Sequence, residues 1–370
     1  MNRSLRRLAA ACGLVLSLLA MALASPAMAA QIVDLRGRTV TVPDPVRKIS
    51  IDDGRFLVAL ALIQADPVQR LAAWPRDVHR IGDATYAQFV AKFPALRSVP
   101  QVASSAGSFN LEAVLSAAPD VAVVSLESGP SEAQIAQLQA AGIPVVFIDF
   151  FTSPFRNQER SLRILGQLTG AAAKADAFIA LRRAHMDRIA QRVAKIAPGE
   201  RPTVFLEAHA GISNDCCNSP GKGNIGDYVD FVGGHNIGAD VLKGPMGKLN
   251  LEYVMSRDPA IYIATGGAHL ERSNGLVLGA GYDAARARAS LARITQRQGI
   301  AQLSAVKAGR AYGLAHPLIN SPIDIVAIEV FATWVHPELF RDVDPARTLA
   351  EINSRFLAVP YQGAGWVSLR

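Results

Sequence analysis

Two stretches of the chain, residues 109–120 and 249–260, follow one pattern and so indicate a fold with two related halves. At an offset of 140 residues they share Asn, Leu, Glu, Val, Ser and Pro at six of twelve positions. In each stretch an asparagine, Asn110 or Asn250, is suited to cap a short helix, and a proline then leads into an apolar run. We therefore predict the same helix–strand unit in each of two lobes.

Apolar runs alternate with helical patterns along most of the chain. An apolar run without polar alternation is typical of a strand covered on both faces, so this order predicts an α/β fold with central sheets. A β-hairpin-like entry over 31–49, with Gly37 at its turn, precedes them. The predicted strands lie at 121–124, 145–148, 203–207 and 261–264, and the predicted helices at 131–141, 225–232, 251–257, 323–335 and 345–356.

Residues 157–197 differ from the rest because they contain no proline and, from Ala171 onward, no glycine. Apolar side chains recur there at largely helical spacing, with arginine and lysine on the remaining faces. A helix over 171–196 would be about 39 Å long at 1.5 Å per residue, which suits a connection between two lobes. The predicted order is an N-terminal α/β lobe (30–156), a linking helical segment (157–197) and a C-terminal α/β lobe (198–370).

Residues 1–29 predict a cleaved secretory signal peptide. Three arginines precede an apolar run at 14–23, and Ala27-Met28-Ala29 supplies a small-x-small cleavage pattern, so the mature chain would begin near Ala30. The run is shorter than the roughly 20 residues that span a bilayer. Cys12 lies before most of the apolar run, where a lipid-attachment cysteine should follow it. We therefore predict an exported protein.

Charge and cysteine content narrow the class of protein. Removing residues 1–30 leaves 35 basic residues (38 minus 3) against 31 acidic ones, a formal charge of +4. This mild excess of positive charge is spread along the chain and gives no basic stripe for binding nucleic acid.

Only two cysteines, Cys216 and Cys217, remain after this removal. One disulfide between adjacent residues cannot stabilise the fold of a chain of this length, so hydrophobic cores must stabilise it.

Common catalytic motifs are absent from the sequence. Neither Gly-x-Ser-x-Gly nor His-Glu-x-x-His occurs, and Gly221-Lys222 lacks the preceding glycine spacing and the following Ser or Thr of a phosphate loop. These absences favour a binding protein over an enzyme. The alternative is a periplasmic hydrolase, which would need a nucleophile and a base in contact and would turn over its bound ligand.

An ordered set of further motifs covers nearly the whole mature chain and resembles the periplasmic binding proteins of iron-siderophore, haem and cobalamin importers. The resemblance implies two α/β lobes bridged by one rigid helix, with the ligand in the cleft between them. It also implies a periplasmic monomer that delivers its ligand to an ABC permease and its ATPase, with no cofactor of its own and iron present only within the ligand. The motifs lie at 34–43, 110–112 with 119–120, 142–145, 165–170, 233–237, 250–252, 306–310 and 336–340.

The resemblance gives Glu112 and Glu252 a role, because in that family an acidic residue on each lobe docks on arginines of the permease. The residues themselves also allow a simpler interpretation, since a carboxylate in the first turn complements the helix dipole. Both interpretations can hold together. An exposed Glu–Arg pair contributes only about 0.2–1 kcal/mol, which suits a transient dock.

Loops that follow the strand ends are predicted to contact the ligand. Arginine binds carboxylate or catecholate oxygens through paired hydrogen bonds, and aromatic rings pack on the apolar parts of a chelate. Arg156, beside three phenylalanines, is the first choice, and the predicted ligand is a ferric siderophore, followed by haem and then cobalamin. The predicted contacts are Arg55, Phe56, Phe151, Phe155, Arg156, His209, Cys216, Cys217, Lys222, His269 and Arg272.

The seven histidines are scattered, without the close spacing of a metal motif, so no protein-held metal is predicted. His209, His269 and His316 could reach the cleft. A histidine or a tyrosine, Tyr282 or Tyr312, could then ligate the iron of a chelate or of haem.

Cys216 and Cys217 are neighbours, and adjacent Cα atoms across a trans peptide lie about 3.8 Å apart. This is below the usual disulfide range of about 4.4–6.8 Å. We predict a strained bond that shapes a binding loop, in preference to free thiols or a zinc site, because zinc sites need spaced cysteines and a second ligand pair.

Overall fold

The computed structural model describes residues 28–75, 81–102, 109–126, 129–213, 215–319 and 321–370. The predicted signal peptide lies outside them, apart from Met28 and Ala29, which begin the first strand. The described chain contains one largely parallel sheet in each half, so the predicted two-lobed α/β fold is confirmed.

The strands of the first lobe are β1 Met28–Val33, β2 Thr39–Asp44, β3 Ile49–Ile51, β4 Leu71–Ala73, β5 Val121–Ser125 and β6 Val145–Ile148. Four of them form a parallel sheet in the order β4-β3-β5-β6, and β1 and β2 form an antiparallel hairpin before it. Gly37 turns the hairpin at φ 76°, a conformation that glycine adopts without strain. The helices are α1 Phe56–Ile63, α2 Asp83–Lys92, α3 Leu111–Ala117 and α4 Glu132–Ala140.

Both faces of this sheet are covered, as the unbroken apolar runs predict. Val121 and Val123 of β5 face the large core that extends into the second lobe. Ala122 and Val124, on the opposite face, pack in a smaller core beneath α3 and α4. Strand side chains alternate between faces, so a doubly covered strand is apolar at every position.

The linking segment contains the predicted long helix, α6 Ala172–Val193, preceded by α5 Pro154–Thr169. Gly170, at φ 70°, ends α5 and lets the chain reverse, so the two helices pack antiparallel. An ion pair between Arg163 and Asp176 joins them. α6 spans about 33 Å at 1.5 Å per residue, and it packs against α5 on one side and against the second lobe on the other.

The strands of the second lobe are β7 Thr203–Glu207, β8 Asn218–Ser219, β9 His235–Asn236, β10 Gly247–Lys248, β11 Ile261–Gly266, β12 Ala311–Ala315 and β13 Trp366–Ser368. Five of them form a sheet in the order β13-β12-β11-β7-β9, in which only the edge strand β13 is antiparallel. Strands β8 and β10 form a separate antiparallel pair. The helices are α7 Gly226–Phe231, α8 Leu251–Arg257, α9 Ala284–Thr295, α10 Ser304–Lys307, α11 His316–Ile319, α12 Ile325–Val335 and α13 Pro345–Arg355.

The internal repeat corresponds to the same unit in both lobes. The side-chain oxygen of Asn110 accepts from the amide of Ala113, and that of Asn250 accepts from the amide of Glu252. Each helix, α3 or α8, ends in a left-handed residue and leads into an inner strand, β5 or β11, with parallel neighbours on both sides. The repeated pattern therefore predicted equivalent positions in the two sheets.

After α13 the chain returns to the first lobe. The amide of Ala358 donates to the carbonyl of Ala61 at 2.8 Å, and Lys92 Nζ donates to the carbonyl of Ala358 at 2.5 Å. Gln88 Nε2 donates to Gln362 Oε1 at 3.1 Å. Residues 356–363, which we call the return segment, therefore join the second lobe to α1 and α2 of the first.

A buried ionic network lies where the lobes meet. Asp324, with no exposed surface, accepts two hydrogen bonds from Arg182 of α6, each 2.8 Å long. It also accepts one from Gln158 Nε2 of α5 at 2.9 Å and one from the hydroxyl of Tyr228 of α7 at 3.1 Å. The network therefore ties the linking helices to the second lobe.

We expect Asp324→Ala to lower the free energy of unfolding by about 3–5 kcal/mol, because it leaves the Arg182 charge buried without its main partner. Asp342→Ala is the matched control, since it removes the exposed partner of Arg192 and should leave the free energy of unfolding nearly unchanged. Urea unfolding measures both, and equal losses would contradict the structural role of the buried pair.

Candidate ligand-binding cleft

The cleft lies between helices α1 and α2 of the first lobe and three loops of the second. Its inner part is mainly apolar, walled by Val58, Phe89 and Ile323 among others. Its outer part, toward residues 268–286, is more polar. Polar groups that line the two parts are Arg55, Thr85, Gln88, Ser321, Tyr361, Gln362, Asp83, His269, Glu271, Arg272, Tyr282 and Arg286.

Arg55 lies in the cleft, as predicted, and its side chain is held rigidly. Nε and Nη2 donate to the two oxygens of buried Asp53 at 3.0 and 2.7 Å. The guanidinium carbon lies 3.2 Å from the ring centroid of Phe151, in cation–π contact. The side chain keeps 15% of its surface exposed, so one edge of a pre-positioned guanidinium faces the cleft.

Asp149 builds the loop that places Phe151 beneath Arg55. Its carboxylate accepts hydrogen bonds from the amides of Phe151, Thr152 and Ser153 at 2.7–3.0 Å, which fixes the turn after β6. Phe56 stacks on Phe151 from the core side, with ring centroids 5.9 Å apart, and is completely buried. Phe56 therefore supports the cleft wall from behind, which corrects the prediction that it contacts ligand.

Phe155 and Arg156 lie away from the cleft, which corrects the first-choice prediction. The loop after β6 ends at Ser153, and α5 carries both residues to a groove between α5 and α6. There Phe155 packs against Tyr228 and Phe231, with ring centroids 4.9 Å apart in each case. Arg156 is exposed in the same groove. The physical reason is that the helix α5 already begins at Pro154, so Phe155 and Arg156 belong to this helix and not to the loop beside the cleft.

Three histidines from different loops meet on the second-lobe side. His209 follows β7, His269 follows β11 and His316 begins α11 after β12, so all three lie at the carboxyl ends of adjacent parallel strands. His209 Nδ1 lies 2.8 Å from His269 Nε2, and the rings of His209 and His316 have centroids 4.0 Å apart. Thr265 Oγ1 accepts from the amide of His209 at 3.1 Å and lies 3.1 Å from His316 Nδ1.

Two histidines of the cluster, His209 and His316, are uncharged at neutral pH. Burial, reinforced by His269, lowers the pKa of His209 to about 4. Burial also lowers the pKa of His316, and the nearby His209, His269 and Arg55 act in the same direction. Neutral imidazole is the form that ligates metals. Within the described residues no group of three metal-ligating side chains has the geometry to hold an ion by itself.

The remaining predicted contacts are divided between the cleft and its surroundings. Cys216 and Cys217 are joined as a disulfide, and the adjoining Asn218 carbonyl accepts from the amide of Ala208, so this segment lies beside the His209 backbone. Arg272 is exposed in the outer part of the cleft with His269. Lys222 is exposed and lies outside the residues that line the cleft.

Glu112 and Glu252 occupy the second position of α3 and α8, and both side chains are exposed. Among the described residues neither carboxylate forms an ion pair. Each is therefore available to a partner from solution at an equivalent position on its lobe.

No sequence pattern pointed to Tyr361, Gln362 and Gln88 as cleft residues. Tyr361 and Gln362 belong to the return segment and Gln88 to α2, and none of the three lies in a recognisable motif or after a strand. Only the crossing of the chain between the lobes brings them to the cleft.

A family model described as "Periplasmic binding protein" matches residues 60–318. The chain belongs to this family. A crystal structure of the TroA-like periplasmic binding protein FepB from Veillonella parvula has a TM-score of 0.82 and 26% identity, and covers 92% of this chain and 99% of that one. The vitamin B12-binding protein of Salmonella typhimurium is 26% identical over 208 residues, 56% of this chain and 73% of that protein. The ABC transporter substrate-binding lipoprotein YvrC of Bacillus subtilis is 23% identical over 236 residues, 63% of this chain and 67% of that protein.

Membership of this family confirms the resemblance that the sequence motifs indicate. It also confirms the general role, that of a periplasmic binding protein of an ABC transporter, a class of protein that works with a permease and an ATPase. The names of the matched relatives describe binding proteins. No helix among the described residues is long and apolar enough to cross a membrane.

The pKa of His209 predicts a pH-dependent stability. The folded protein holds this pKa at about 4, against about 6.5 in an unfolded chain, so protons favour unfolding as the pH falls from about 6.5 toward 4. His209→Asn suits the left-handed backbone at φ 52° and should lose this contribution. Urea unfolding at pH 7.5 and 4.5 measures it. His235→Asn, outside the cleft, is the control, and a pH response of His209→Asn equal to that of the wild type would contradict the assignment.

Proposed function

We propose that this protein captures a ferric siderophore-type chelate between its lobes and delivers it to an ABC permease. One juxtaposition supports the proposal: Arg55 of the first lobe lies near the histidine cluster of the second. The two are close enough for Arg55 to act on the pKa of His316. Arg55 lines the mainly apolar inner part of the cleft, and His269 lines its more polar outer part.

Each part of the cleft suits a part of such a chelate. The guanidinium can donate hydrogen bonds to catecholate, carboxylate or hydroxamate oxygens, and its stacking on Phe151 holds it ready. Val58, Phe89 and Ile323 can cover the apolar backbone of the chelate. An imidazole of His209 or His269 can occupy a coordination position that the chelate leaves open on iron. The iron belongs to the cargo and not to the protein.

Haem is the second candidate, because imidazole also ligates haem iron, and the likeness to a vitamin B12-binding protein makes cobalamin the third. Titration of purified protein with an iron(III) bis-catecholate, haemin and cyanocobalamin, followed by the fluorescence of Trp74, Trp334 and Trp366, separates them. We expect saturable quenching by the ferric chelate. A shifted haemin Soret band or tighter binding of cyanocobalamin would reassign the ligand.

Arg55→Gln should weaken binding of the iron(III) bis-catecholate by about 10- to 100-fold, because a hydrogen bond to a charged group is lost. Arg55→Lys preserves the charge near Asp53 and should recover part of the affinity. Arg156→Gln is the matched control, since this exposed arginine lies outside the cleft and should bind like the wild type. Isothermal titration gives the three values, and the reverse order would return the anion contact to Arg156.

Reversing the charge at both Glu112 and Glu252, each to lysine, should leave ligand affinity unchanged and abolish uptake of radiolabelled ferric chelate. The physical reason is that the carboxylates lie on exposed helix turns, where only the permease would meet them. A double variant with Glu200→Lys and Glu338→Lys makes the same charge change at two other exposed positions and should support uptake. Normal uptake by the first double variant would remove the docking role.

A further inference from the structure

The return segment brings Tyr361 into the inner part of the cleft. Its backbone is held on both sides by one side chain of α13: Asn353 Oδ1 accepts from the amide of Tyr361 at 2.8 Å, and Asn353 Nδ2 donates to its carbonyl at 3.1 Å. The neighbouring Gln362 is bonded to Gln88 of the first lobe. Tyr361 is therefore fixed at a point where the chain already spans the two lobes.

The hydroxyl of Tyr361 is buried, and no acceptor among the described residues lies within hydrogen-bonding distance of it. Burial raises the pKa of this phenol, so it remains a protonated donor throughout the physiological range. Buried donors without a partner are rare because they lose their hydration without compensation. Tyr282, on the outer wall of the cleft, shows the usual arrangement, with its hydroxyl donating to Glu271 at 2.8 Å.

We propose that the Tyr361 hydroxyl donates a hydrogen bond to an oxygen atom of the bound ligand, as a binding residue beside Arg55. This inference rests on the proposed function and adds to it a ligand class, one that presents an acceptor oxygen to the inner, apolar part of the cleft. A catecholate, hydroxamate or carboxylate oxygen meets this requirement. Because the return segment is bonded to both lobes, the contact also links the ligand to both lobes.

A purely structural tyrosine and a ligand-binding tyrosine predict opposite changes in stability. A hydroxyl that stabilises the fold lowers the melting temperature when it is removed. A hydroxyl that lacks a partner in the unliganded protein costs stability, so Tyr361→Phe should melt at the same or a higher temperature than the wild type while it binds ligand less tightly.

The test compares wild type, Tyr361→Phe and a matched control, Tyr253→Phe. Tyr253 is half-buried in the same lobe, its hydroxyl donates to the carbonyl of Ile237 at 2.9 Å, and it lies outside the residues that line the cleft. Affinity for the iron(III) bis-catecholate is measured by titration, and the melting temperature is measured without ligand. We expect Tyr361→Phe to bind about ten-fold or more weakly without melting earlier, and Tyr253→Phe to bind like the wild type.

Unchanged affinity of Tyr361→Phe, or a lower melting temperature, overturns the inference and leaves the proposed function intact. If the wild type itself binds none of the ferric chelate, haemin and cyanocobalamin, the proposed function fails and the inference fails with it. The two failures are thus distinguished by the wild-type titration alone.

Discussion

The buried carboxylate of Asp324 is the constraint that holds the linking helices against the second lobe. A charge without exposed surface requires compensation, and Asp324 obtains it from Arg182 and Gln158 of the linking helices and from Tyr228 of the second lobe. Gln158 also donates to the carbonyl of Pro322 at 2.6 Å, next to the cleft wall. The same interactions that fix the linking helices therefore fix the floor of the cleft.

The position of the cleft follows from the parallel sheets. Ligands of open α/β sheets bind beyond the carboxyl ends of the strands, because the loops there converge from several strands at one edge. In the first lobe this edge carries Asp53 and Arg55 after β3 and Asp149 after β6. In the second lobe it carries the three histidines. The return segment completes the enclosure by crossing from one lobe to the other.

Several groups whose arrangement lowers the stability of the fold lie at this cleft. His209 and His316 are half-buried and uncharged, a guanidinium is held against a buried carboxylate, and the Tyr361 hydroxyl is buried with no acceptor among the described residues. Away from the cleft, the guanidinium of Arg297 is paired with the buried carboxylate of Glu207. Functional sites commonly depart from local stability in this way, since their groups are arranged for a ligand.

The sequence by itself determined the elements and the family, because hydrophobic periodicity, caps and repeats are local. The strand at 203–207 and the helix at 251–257 have the predicted bounds, and the two Asn-Leu-Glu repeats begin equivalent helices. Only the tertiary structure decided which polar side chains share the cleft. Whether Arg55 or Arg156 faces it depends on where α5 begins, and the meeting of His209 with His269 and His316, like the placement of Tyr361, depends on contacts between residues distant in the chain. No local pattern records such contacts.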